Sequence, residues 1–164
     1  MKRIYFVSFV IIILIGFNTD DSVSIGAGIT KQLKLFDTNG NEKTIFKRGE
    51  EFEMRFSITN FTGKDLTYHY TGVPVISEIH QDDAYICSSV NGLITAQVFL
   101  TKTLRNGETF KIKWLAPNTL ANTIAREPKI FLPAGNYKAV VEYRFVFDNF
   151  SLEETTPVTF KIIK

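Results

Sequence analysis

The sequence predicts an all-β fold of short antiparallel strands packed as a sandwich or barrel. Three observations carry this. Many short segments alternate apolar and polar residues, which sets one strand face in a core and the other in water. Gly, Asn, Asp or Pro punctuates nearly every one of them. No window longer than about 11 residues keeps the 3.6 period of a helix. Phe, which favours strands and dense cores, supplies 15 of the 164 residues.

The elements follow in order. "KQLKLFD" (31–37) reads as a strand closed by "TNGN", where Asn39–Gly40 is a hairpin signal. "KTIF" is a short strand that ends before Gly49. "FEMRFSITN" (52–60) sets Phe52, Met54, Phe56 and Ile58 on one face and Glu53, Arg55 and Ser57 on the other. A slip of one residue would put Glu and Arg in the core, so its register is strongly specified. "LTYHYTG" (66–72) is a strand ending at Gly72 and Pro74, and "VISEIHQ" (75–81) is a separate one. "AYICSSV" (84–90) runs to the hairpin signal Asn91–Gly92, and "LITAQVFLTKTL" (93–104) to Asn106–Gly107. "TFKIKWL" (109–115) aligns Phe110, Ile112 and Trp114. "NYKAVVEYRFVF" (136–147) is the longest candidate, and "VTFKIIK" (158–164) ends the chain. "NTLANTIARE" (118–127) reads as one or two helical turns or as a loop across an open end of the fold. One local device occurs twice: "KTIFKRGEEFEMRF" and "KTLRNGETFKIKW" share a Gly-Glu turn feeding an alternating strand.

Residues 1–24 stand outside this fold. Lys2 and Arg3 precede an apolar run from Ile4 to Phe17, broken only by Ser8 and Gly16. That run suits a signal-peptide core and is short for a membrane span of about 20 residues. Ser22 and Ser24 give a small-residue cleavage site after about Ser24, and an uncleaved anchor is the alternative. Either way residues 25–164 form one exported domain that is secreted, periplasmic or at the cell surface. Membrane contact is then expected only through the N-terminal segment.

The single cysteine, Cys87, rules out an internal disulfide, so stability rests on the core. Its apolar setting reads as a buried small hydrophobe. A net charge of +2 with no basic cluster gives no case for nucleic acid. His69, His80, Asp82 and Asp83 lie near one another in sequence but match no ligand spacing, so no metal is expected. Glu50–Glu51 and Glu153–Glu154 are adjacent pairs, and neighbours on a strand point to opposite faces. No phosphate loop, dinucleotide motif or nucleophile elbow is present, so neither cofactor nor catalysis is expected. Asn60-Phe-Thr62 and Asn149-Phe-Ser151 are formal N-glycosylation sequons.

Three pieces recur in one order: the strand–turn–strand "FEMRFSITNFTGKDLTYHYTG", the segment "LRNGETFKIKW", and "LPAGNYKAVVEYRF", where Pro-x-Gly-x-Tyr leads into a long strand. This order resembles bacterial immunoglobulin-like β-sandwiches, and more narrowly the intracellular proteinase inhibitor (BsuPI-type) domain family, over about residues 49–145. The resemblance implies an immunoglobulin-like antiparallel sandwich of about seven to nine strands. It marks no reactive-site residue. The expectation is therefore a non-catalytic binding module with a protein or glycan partner. The alternative is a proteinase inhibitor presenting residues 115–135, with Arg126 exposed in that loop. The aromatic face Tyr143, Phe145 and Phe147 is the candidate contact patch, set against the plainer reading that it is the inward face of a long strand.

Overall fold

In a computed structural model of the chain, two β-sheets face each other across an aromatic core. The structure describes residues 23–25, 28–91, 98–118, 130–148, 151–152 and 154–164. Among them are ten strands and no helix, so none is long and apolar enough to cross a membrane. The strands are β1 (Val23–Ile25), β2 (Ile29–Asp37), β3 (Ile45–Lys47), β4 (Phe52–Asn60) and β5 (Leu66–Gln81). They continue with β6 (Ala84–Ser88), β7 (Phe99–Leu104), β8 (Thr109–Ala116), β9 (Gly135–Phe147) and β10 (Val158–Ile163).

One sheet has the order β1-β2-β4-β8. The other has the order β3-β10-β9-β5-β6, with β7 also on β5. Every pair is antiparallel except β3 with β10, which run parallel. This is the immunoglobulin-like division, one sheet led by three consecutive antiparallel neighbours and the other by the β10-β9-β5 trio. The alternation read from the sequence is the alternation of burial. Along β4, Phe52, Met54, Phe56 and Ile58 are all buried, while the residues between them are partly exposed.

Three features depart from the sequence reading. Residues 66–81 make one strand instead of two, with a register break between Tyr70 and Val75. Pro74 sits inside that break, where no ladder bond needs its missing N–H. The strand β1 contains Val23 and Ser24, inside the stretch set apart as a leader, and it pairs with β2. Lys31 occupies an inward position between Ile29 and Leu33 and is buried. Its Nζ donates to the Tyr143 hydroxyl at 3.0 Å and to the Glu154 carbonyl at 3.1 Å, which satisfies a cation a core could not otherwise hold.

The repeated Gly-Glu device has one geometry at both sites. Gly49 and Gly107 each lie at φ +80, and the following Glu N–H donates to the carbonyl three residues back. The carboxylates of Glu50 and Glu108 then accept the backbone N–H of Lys47 and Arg105. The two turns feed β4 and β8, which are paired neighbours. At the start of β9, the Tyr137 hydroxyl donates to the Pro133 carbonyl at 2.8 Å. This is the tyrosine corner of immunoglobulin-like sandwiches, in the Pro-x-Gly-x-Tyr segment that carried the resemblance.

Candidate interaction surface

The aromatic face proposed from β9 lies inside the molecule. Phe145 and Phe147 are buried in the core. Tyr143 packs against that core, stacked on Phe56 at 5.9 Å. Tyr68 meets Phe145 at 5.2 Å and Phe147 at 5.8 Å, so these rings join β5 to β9. As a contact patch the three residues are therefore a correction: a strand central to its sheet turns its aromatic face to the opposite sheet. Arg126 lies outside the described residues, as do Asn149 and Glu153.

The outward face beside them is apolar in a different place. Phe99 on β7 is 67% exposed, Val98 50% and Val146 56%. The register sets His69 of β5 opposite Thr101 of β7 on one side and Val146 of β9 on the other. The His69 ring is stacked under Phe99 at 5.4 Å with an interplanar angle of 16°. Its Nδ1 is 2.8 Å from Thr101 Oγ1 and its Nε2 is 2.6 Å from Asp148 Oδ1. Phe99 thus rests on an imidazole that is itself fixed from both ring nitrogens. The alternation Tyr68-His69-Tyr70 predicts that His69 faces out, and it does, between two buried tyrosines. The part of Phe99 was missed, although "VFL" (98–100) signals it: three consecutive apolar residues on a strand cannot all point inward.

A second feature closes the base of the 115–135 loop. The Asn118 side-chain Oδ1 accepts the Ile130 N–H at 3.0 Å, and the Trp114 indole donates to the Asn118 carbonyl at 2.7 Å. The two ends of residues 119–129, themselves outside the described residues, are tied together there. Beside this clasp is a cleft of about 240 Å³ lined by Glu50, Glu51, Asn118, Ile130, Phe131 and Leu132. Burial works against the Glu50 carboxylate, but hydrogen bonds from Lys43 and from the Lys47 N–H outweigh it and hold its pKa below the usual range.

The other chemical candidates take different partners. His69 holds Asp148, His80 is 2.8 Å from Glu78, and Asp83 accepts from Lys138 at 2.6 Å. Among the described residues no three His, Cys, Asp or Glu side chains are grouped to hold a metal. Cys87 is fully buried, and burial pushes its thiol up to about 12. The first sequon is engaged in structure. The Asn60 Nδ2 donates to the carbonyls of Lys64 and Leu104, while its Oδ1 accepts from the Thr62 N–H and hydroxyl. With its amide buried and fully bonded, Asn60 is a staple between turns.

No known protein family matches the chain, and no curated protein sequence does. Among solved structures, a beta-glucosidase from Listeria innocua matches at a TM-score of 0.39 and 11% identity, over 80% of this chain. The chain spans only 16% of that protein's length.

Proposed function

We propose that the chain is an exported, non-catalytic binding module, and that the outer face around Phe99 receives a protein or glycan partner. The observation that carries this is the preorganised ring: among the described residues Phe99 is the most exposed of the large apolar side chains, and it is stacked on His69, which Thr101 and Asp148 hold. An exposed aromatic whose support is already fixed loses little entropy on contact, which is what binding hot spots exploit. The test is a side-by-side screen of wild type, Phe99→Ala and Leu115→Ala against immobilised envelope glycans and extracellular proteins. Leu115 is exposed on the opposite sheet and serves as the control. A ligand signal lost only with Phe99→Ala supports the reading. Signals that survive Phe99→Ala unchanged reject it.

The Asn118 clasp favours a second reading, a proteinase inhibitor. An inhibitory loop needs both ends held, and the Trp114–Asn118–Ile130 bonds hold them. The resemblance to the BsuPI-type domain points the same way. Stoichiometric inhibition in a panel of serine and metalloproteases, weakened by Asn118→Ala and indifferent to Phe99→Ala, would put this reading first.

A further inference from the structure

The outward face of the six-stranded sheet carries a second feature, about 25 Å along β9 from Val146 and the Phe99 ring. There Ile45 of β3, Lys161 of β10 and Asn136 of β9 lie in one row across three paired strands. Thr159 of β10, Lys138 of β9 and His80 of β5 form the next row. Each of the six has a buried residue beside it in its strand, so each points away from the core. The first row and the Thr159–Lys138 pair line a hollow of about 650 Å³, together with Thr44 and the β5–β6 turn at Asp82 and Asp83. All of its lining belongs to the described residues.

Asp83 and Lys138 hold each other at 2.6 Å, which ties the turn to β9. Among the described residues, no hydrogen bond or ion pair engages the side chains of Thr44, Asp82, Asn136, Thr159 or Lys161. The hollow thus offers a carboxylate, an ammonium, an amide and two hydroxyls to whatever enters it. Its lining holds two carboxylates and two ammonium groups, so its charge is balanced. A polyanion would be repelled by Asp82 and a polycation by Lys161. A ligand rich in neutral hydroxyls meets neither repulsion, and it can donate to the carboxylate and accept from the ammonium and the amide. The volume suits a small organic ligand, and the polar lining suits a polar one. The second row continues to an aromatic ring. Tyr85 of β6 is exposed opposite His80, and the two rings meet edge to face at 6.0 Å. The Tyr85 hydroxyl donates to Asn91 Oδ1 at 3.0 Å, and His80 Nε2 is 2.8 Å from Glu78 Oε2, so both rings are held. The C–H face of a sugar ring is apolar and packs on such an aromatic, while its hydroxyls need polar groups alongside. We propose that this hollow, extended by Tyr85, is a binding site for a neutral oligosaccharide. It shares a sheet face with the Phe99 surface but no residue, and it does not depend on the reading given to that surface.

The test is amide NMR of the full chain titrated with neutral oligomers of glucose and of N-acetylglucosamine, with an oligogalacturonate as the anionic control. Binding of a neutral oligomer should shift the amides of Asn136, Lys138, Thr159 and Lys161. It should not weaken with added salt, since no ion pair forms across the contact. Asn136→Ala and Lys161→Gln change exposed side chains and leave the core intact. Each should raise the Kd about tenfold, and Tyr85→Ala by a similar factor. Phe99→Ala should leave the Kd unchanged. No shift with any neutral oligomer at millimolar concentration overturns the proposal. So does an affinity that ignores both Asn136→Ala and Lys161→Gln, or a preference for the oligogalacturonate. Binding lost with Phe99→Ala alone would reject this site and leave the Phe99 surface standing.

Discussion

Cys87 shows what burial does to a single titratable group. Its folded thiol is pushed up to about 12, while an unfolded cysteine titrates near 8.5 to 9. The folded state therefore keeps a proton that the unfolded chain releases above about pH 9. The resulting stability is whole below that pH and drains as the pH rises towards 12, by at most about 1.4 kcal/mol per unit. Burial also raises Tyr68 and Tyr137, so a Cys87→Ala variant should still lose stability in alkali, but less steeply. Urea unfolding at several pH values between 8 and 11 measures both slopes, and equal slopes would contradict the account. The native thiol should also resist a disulfide reagent at pH 8 until the protein unfolds. The burial of Cys87 and the outward aim of His69 were legible in the sequence, because immediate neighbours decide them. The roles of Asn60 and Phe99 were not. Asn60 is fixed by the carbonyl of Leu104, 44 residues away, and Phe99 by a ring on another strand. Whether the aromatics of β9 form a contact patch or an inward face stayed open in the sequence, because one strand cannot reveal how much ring volume the facing sheet will accept; the structure takes the inward reading.

At the scale of elements, turn chemistry was the most legible part of the chain. The Gly-Glu device read twice in the sequence has one hydrogen-bond pattern at both sites, since the whole motif lies within four residues. The joining of residues 66–81 was hidden because Gly72 and Pro74 signal a stop, whereas β9 runs alongside both halves and carries the strand through. The β5–β6 hairpin is the strained counterpart of the glycine turns. Gln81 pairs with Ala84, leaving a two-residue loop in which Asp82 and Asp83 lie at φ 48 and φ 66. Such a loop prefers Asn-Gly, because both positions need positive φ. The Asp82→Asn/Asp83→Gly variant should therefore be more stable by about 0.5–1 kcal/mol in chemical denaturation. The substitution gives up the exposed Asp83–Lys138 ion pair, whose contribution is small. A loss of stability would mean that this pair outweighs backbone strain.

For the whole molecule, the question is whether two sheets make one cooperative unit. The sheets share no strand, so side chains must couple them. At one end Phe46 stacks on Phe52 at 4.5 Å, Phe52 meets Phe160 at 5.1 Å, and Phe160 stacks on Tyr137 at 5.4 Å. This run begins on β3, crosses to β4 in the other sheet, and returns through β10 to the tyrosine corner of β9. At the other end Phe110 of β8 meets Phe145 of β9 at 5.9 Å and Tyr68 of β5 at 6.1 Å. Phe52 is fully buried at the crossing point, so Phe52→Ala opens a cavity that faces both sheets. The expected cost is about 3–5 kcal/mol. Its distribution is the informative part. If the core is one unit, native-state amide exchange should show that cost equally in the amides of β4 and of β9, because both open only in global unfolding. If the sheets were separable, β4 amides would lose protection while β9, held by β5 and β10 in its own sheet, kept its own. The continuous run of rings from Phe46 to Tyr137 predicts the first result, because Phe52 packs against rings of the facing sheet on both β3 and β10, and its loss is felt by both sheets at once.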